Sequence, residues 1–105
     1  MGGCNANTNQ ARDPSEYTMD IQYCGDSSYR PKAVFVRKDI KKHFGKKINV
    51  VLEEDSSQTG NFEITLTNNK TGKSQLIHSK RSGDGFVKKE TSDDFREKVQ
   101  RFCSS

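Results

Sequence analysis

Apolar and polar residues change their spacing several times along this chain, and each change marks an element. Tyr17, Met19, Ile21 and Tyr23 alternate with Thr18, Asp20 and Gln22, the period of two that gives a β-strand one buried face. From Pro31 to Phe44 the spacing becomes three and four. Ala33, Val36, Ile40 and Phe44 fall on one helical stripe, with Arg37, Lys38, Lys41 and Lys42 across the opposite face. Pro31 suits a first helical turn and Gly45 an end. Ile48–Leu52 reads as a second strand, apolar enough to be central in a sheet. Phe62, Ile64 and Leu66 then alternate with Glu63, Thr65 and Thr67. Turn-forming residues from Asn68 to Lys73 and a short strand from Gln75 to Ser79 complete a predicted hairpin. Beyond the Gly83-Asp84-Gly85 loop, Ser92, Asp93 and Asp94 cap a last predicted helix, in which Phe95, Val99 and Phe102 share a face.

The predicted order is β-α-β-β-β-α over residues 17–105. Two parallel strands joined by a helix place that helix on one side of the sheet, so the expected fold is a small α/β, two-layer sandwich of thioredoxin-like type. Residues 1–16, rich in Gly, Asn, Gln and Asp, hold hardly any apolar side chain and are expected to form a disordered tail. At 105 residues the chain makes one domain.

Composition removes several function classes. The longest apolar run is four residues, Ala33 to Val36, whereas a membrane-crossing helix needs about 20. Met1 to Asn9 show neither a basic start nor an apolar stretch, so no secretory signal is expected and the chain is placed in the reducing cytoplasm. There the sequon Asn69-Lys70-Thr71 carries no weight. Cys4, Cys24 and Cys103, odd in number and widely spaced, do not read as a disulfide framework or a zinc site. His43 and His78 have no companion at ligand or triad spacing and read as structural, so no metal or bound cofactor is expected.

Net charge is +4. Between Arg30 and Lys47 eight Lys or Arg residues stand against one Asp. Without interleaved aromatic residues, this reads as a solvated helix face rather than a nucleic-acid surface. At the N-terminus, Gly2 is a candidate for myristoylation and Cys4 for palmitoylation, two lipids that together hold a membrane, although Ala6 stands where Ser or Thr is preferred. Membrane contact is expected only with that lipidation. Cys103 has two residues after it, which is not a prenylation box.

Cys24 is the residue with chemistry to offer. It follows a strand end and precedes a helix start, where backbone N–H groups stabilise a thiolate, with Arg30 and Lys32 helping and Asp26 opposing. It reads equally as a small buried apolar side chain. The stretches Tyr23-Cys24-Gly25 with Tyr29, Thr59-Gly60 with Phe62-Glu63, and above all Leu76-Ile77-His78-Ser79-Lys80 followed by Gly83-Asp84-Gly85-Phe86-Val87, resemble the selenoprotein W family. That resemblance covers Met19 to about Cys103. It implies a thioredoxin-like fold, a redox-active C-x-x-U or C-x-x-C motif, glutathione-linked antioxidant activity, and docking to client proteins such as 14-3-3 proteins. Gly25, Asp26 and Ser28 then form the loop presenting Cys24, with Thr59 and Gly60 beside it. The fourth motif position is Ser27 here. Whether serine is encoded there or stands in for selenocysteine, a hydroxyl cannot close a disulfide or attack as a thiolate, which leaves at most monothiol chemistry at Cys24. The alternative is a redox-silent module that docks clients through the Cys24–Ser28 loop and the basic first helix.

Overall fold

The alternating stretch at residues 17–23 becomes β1 (Tyr17–Tyr23) in the computed structural model, which describes residues 15–104. It is followed by α1 (Arg30–Phe44), β2 (Ile48–Glu54), β3 (Phe62–Asn68), β4 (Ser74–Ser79) and α2 (Ser92–Ser104), with 3₁₀ turns at Gly45–Lys47 and Lys89–Thr91. The strands form one mixed sheet in the order β2-β1-β3-β4. β1 is parallel to β2 and antiparallel to β3, and β4 returns antiparallel to β3.

Both helices cover the same face. Ala33, Val36 and Ile40 of α1 and Phe95, Val99 and Phe102 of α2 bury against Met19, Ile21, Phe62, Ile64 and Leu66 of the central strands. Arg96 ties the two helices together through the Asp39 carboxylate at 2.8 Å, and also pairs with Asp93. On the other face Thr18, Asp20, Gln22, Glu63, Thr65 and Thr67 remain at least partly solvated. One apolar face and one polar face make this the expected thioredoxin-like two-layer sandwich.

Two local expectations are corrected. The Ile48–Leu52 run is an edge strand and not a central one, because β1 uses its two hydrogen-bonding edges on β2 and β3. Ile48 is buried in the core and Val50 and Leu52 pack against it, partly buried, on the same face. The first helix begins at Arg30, with Pro31 in its first turn as expected. Ser92 lies inside α2 and donates its hydroxyl to the Lys89 carbonyl at 2.9 Å instead of capping, because the Lys89–Thr91 turn runs straight into the helix.

Of the segment expected as a tail, residues 1–14 lie outside the described residues. Glu16 is joined to the fold: its N–H donates to the Lys47 carbonyl at 3.0 Å and its carbonyl accepts from Asn69 N–H at 2.9 Å. A register shift in the β3–β4 pairing turns the consecutive residues Ile77 and His78 both inward.

Candidate functional site

The chain leaving β1 crosses the loop that leads into β3, and this crossing places the cysteine. Cys24 N–H donates to the Asn61 carbonyl at 2.8 Å, Gly25 N–H to the Ser57 carbonyl at 2.9 Å, and Asp55 N–H to the Tyr23 carbonyl at 2.8 Å. Cys24 is therefore held at the sheet end with only 2% of its surface exposed. Asp26 N–H donates to its sulfur at 3.4 Å.

The groups that the linear sequence sets near the thiol are engaged elsewhere. The Asp26 carboxylate accepts from both Ser28 N–H, at 2.9 Å, and Ser28 hydroxyl, at 2.8 Å, bonds that hold it below the usual carboxylate range. Arg30 pairs with Glu54 at 3.6 Å and donates to the Tyr23 hydroxyl at 3.3 Å. Lys32 lies over the Phe86 ring, 5.4 Å from its centre. The amides at the start of α1 come after the Asp26–Tyr29 turn, closed by a Tyr29 N–H to Asp26 carbonyl bond of 3.0 Å. Among the hydrogen bonds of the described residues, the one that reaches the Cys24 sulfur comes from the Asp26 amide. Ser27 and Ser28 are exposed on this turn.

Thr59 and Gly60 lie in the loop whose Asn61 carbonyl receives the Cys24 amide, and the Thr59 hydroxyl helps to close that loop. The Asp55 carboxylate accepts from the Thr59 hydroxyl, from Gln22 Nε2 at 2.9 Å and from Asn61 Nδ2 at 3.1 Å. These bonds, Thr59 foremost and Gln22 next, hold the Asp55 carboxyl below its ordinary value against a smaller effect of burial. A lowered folded pKa contributes stability that is present above the ordinary Asp range and lost as pH falls through the folded value. Asp55→Asn is therefore expected to lower the melting temperature at neutral pH, with the gap from the parent closing as the solution is acidified. A gap independent of pH would show that the ionised carboxylate is not what closes the loop.

The Gly83-Asp84-Gly85-Phe86 stretch contributes from behind. Gly83 and Gly85 adopt φ of +100° and +67°, angles that side chains other than glycine's rarely accept. They fold Asp84 back on Ser79, whose N–H donates to the Asp84 carboxylate at 3.0 Å and whose carbonyl accepts from Asp84 N–H at 3.0 Å. Phe86 is thereby laid edge-to-face on Phe62 and Tyr29, with centroids 5.2 Å away in each case. His78 Nε2 meets the Gly85 carbonyl at 2.9 Å, and the ring packs edge-on against Phe62 and Phe95. The Asp55 network and this aromatic group were missed in sequence; the run of glycines around Asp84 and Phe86 was the one local sign of the latter. Gly2 and Cys4 lie outside the described residues. A cavity of about 580 Å³ between β4 and α2, with His78, Lys98 and Phe102 among its lining residues, includes no residue of the Cys24 loop.

A cysteine at the end of the first strand, over one end of a two-layer α/β sandwich, is the arrangement of a thioredoxin-like protein. The comparisons make it specific: the profile of the Rdx family matches residues 18–95, and the chain belongs to that family. It is 35% identical over 69 residues to selenoprotein W of Gallus gallus, an alignment covering 66% of this chain and 74% of the relative. Against selenoprotein W of Mus musculus it is 32% identical over 79 residues, 75% of this chain and 81% of the relative. Against that of Ovis aries the figures are 31% over 71 residues, 68% and 75%.

Proposed function

We propose that the protein is a monothiol redox protein that works through Cys24 with glutathione as co-substrate. The observation that carries the reading is the contact between Asp26 N–H and the Cys24 sulfur, 3.4 Å, at the strand end where the family resemblance places a redox residue. The Cys24 thiolate attacks a hydroperoxide, taking one oxygen as sulfenic acid and releasing an alcohol. One glutathione then condenses with the sulfenic acid, losing water and leaving a mixed disulfide. A second glutathione attacks the glutathione sulfur of that bond, giving oxidised glutathione and restoring the thiol. The electrons come from two glutathione thiols, so no second protein thiol is required and Ser27 is compatible with turnover.

Burial sets the rate of this cycle. With Cys24 covered by the 55–61 loop, attack requires local opening, the kind of fluctuation that surface loops undergo far more readily than the core. Cys103, the other described cysteine, is held back chemically: burial raises its thiol pKa, partly offset by Lys47 and the Tyr17 hydroxyl.

Mild peroxide followed by glutathione, read by peptide mass spectrometry, tests the reading. Cys24 is expected to take up glutathione at least about fivefold faster than Cys103, and Cys24→Ser to abolish peroxide consumption. The burial of Cys24 also favours a second reading, a redox-silent module that docks clients such as 14-3-3 proteins through the Cys24–Ser28 loop, where Ser27 and Ser28 are exposed, and the basic first helix. Indiscriminate labelling of the cysteines, with peroxide consumption unchanged in Cys24→Ser, would leave that reading in its place.

A further inference from the structure

The solvent side of α1 has an organisation that the redox reading leaves unused. Phe35, Lys38 and Lys42 recur at three and four and share one stripe, flanked by Lys41 and, past the helix end, by Lys46. All five are exposed, and Phe35 keeps 37% of its surface in solvent. Among the described residues, none of these four lysines lies within ion-pairing distance of a carboxylate. Asp39, the acidic residue of the helix, is directed instead to Arg96 at 2.8 Å and His43 at 3.5 Å. A convex strip of unneutralised ammonium groups thus surrounds an exposed phenyl ring.

We infer that this stripe docks on an anionic lipid surface, the lysines among the headgroups and Phe35 entering the interface. Lysines near an acidic bilayer gain from its surface potential, and an aromatic ring on the same face gains by leaving water. A single aromatic residue makes no stacking platform for nucleic acid. Long, flexible ammonium side chains on a convex face suit a fluid array of headgroups better than the fixed surface of an acidic protein. Chain geometry adds a second argument. Because Glu16 N–H binds the Lys47 carbonyl at 3.0 Å, the segment bearing Gly2 and Cys4 joins the domain at the Lys46–Lys47 end of the stripe. One lipid together with a polybasic patch is the pairing that gives stable anchoring.

The full chain expressed in bacteria, without acylation, isolates the contribution of the stripe. Its partition to phosphatidylcholine vesicles containing about a third phosphatidylserine is expected to exceed that to pure phosphatidylcholine by at least about tenfold and to vanish by about 0.5 M salt. Lys38→Glu with Lys42→Glu, exposed positions that leave the fold intact by melting, should remove at least about tenfold of that partition. Phe35→Trp, in a chain with no other Trp, should shift its emission to the blue on the acidic vesicles. Equal partition to both vesicles, undiminished binding of the double variant, or emission that stays water-like overturns the inference. Binding of single-stranded RNA by a protein that ignores acidic vesicles overturns it as well and assigns the stripe to nucleic acid.

Discussion

Alanine in place of Gly25 is expected to destabilise the domain by about 1 to 3 kcal/mol, the range for forcing extra atoms into a packed site, and to expose the Cys24 thiol. A Cβ at this position would stand 2.6 Å from the Asp55 carbonyl oxygen and 2.8 Å from that of Ser57. Both are backbone atoms of the loop that covers Cys24, so neither can turn aside as a side-chain end would. Relief requires the loop to move off, which breaks the 2.9 Å bond from Gly25 N–H to Ser57 and strains the 2.8 Å bonds that flank it, Cys24 to Asn61 and Asp55 to Tyr23. Two readouts should move in opposite senses: a lower melting temperature and faster reaction of Cys24 with a thiol reagent. Unchanged melting would mean that the loop yields freely. Lower melting with an unchanged thiol rate would mean that something other than this loop limits access to the sulfur.

That close approach shows why the fold was legible in the sequence and the surroundings of the site were not. Strand β1 and both helices were readable because burial acts on one face at a time and leaves a period: Met19 with Ile21, Val36 with Ile40, Phe95 with Val99. The position of β2 was not readable, since a five-residue stretch with four apolar residues, Ile48 to Leu52, has the composition of a central strand. Around Cys24 the sequence offers Asp26, Arg30 and Lys32 as neighbours. Each finds a different partner, respectively Ser28, Glu54 and Phe86. Two of those partners are supplied by segments more than 20 residues away, as are the carbonyls of Ser57 and Asn61 that fix the cysteine. A glycine needed for contact with such a segment looks, in sequence, like one needed for a turn.

Ser27→Cys is expected to give a protein that closes an internal disulfide between positions 24 and 27. The Cys24 sulfur lies 3.4 Å from Asp26 N, which directs it toward the turn carrying position 27, and that turn is closed by the 3.0 Å bond between Tyr29 N–H and the Asp26 carbonyl. Ser27 is exposed, so a thiol introduced there is open to oxidised glutathione. Their reaction forms a mixed disulfide at position 27 and one reduced glutathione. The Cys24 thiolate then attacks the protein sulfur of that bond, releasing the second glutathione and leaving the internal disulfide. Two protein thiols disappear and two reduced glutathione molecules appear, a stoichiometry that mass and thiol counting read directly and dithiothreitol reverses. Closure requires the two Cα atoms to stand within about 7 Å. Oxidation that stops at the mixed disulfide with glutathione would show that the sulfur of Cys24 does not reach position 27. In that event the assignment of Ser27 to the second redox position falls, while glutathione uptake by Cys24 in the parent protein stays open to its own measurement.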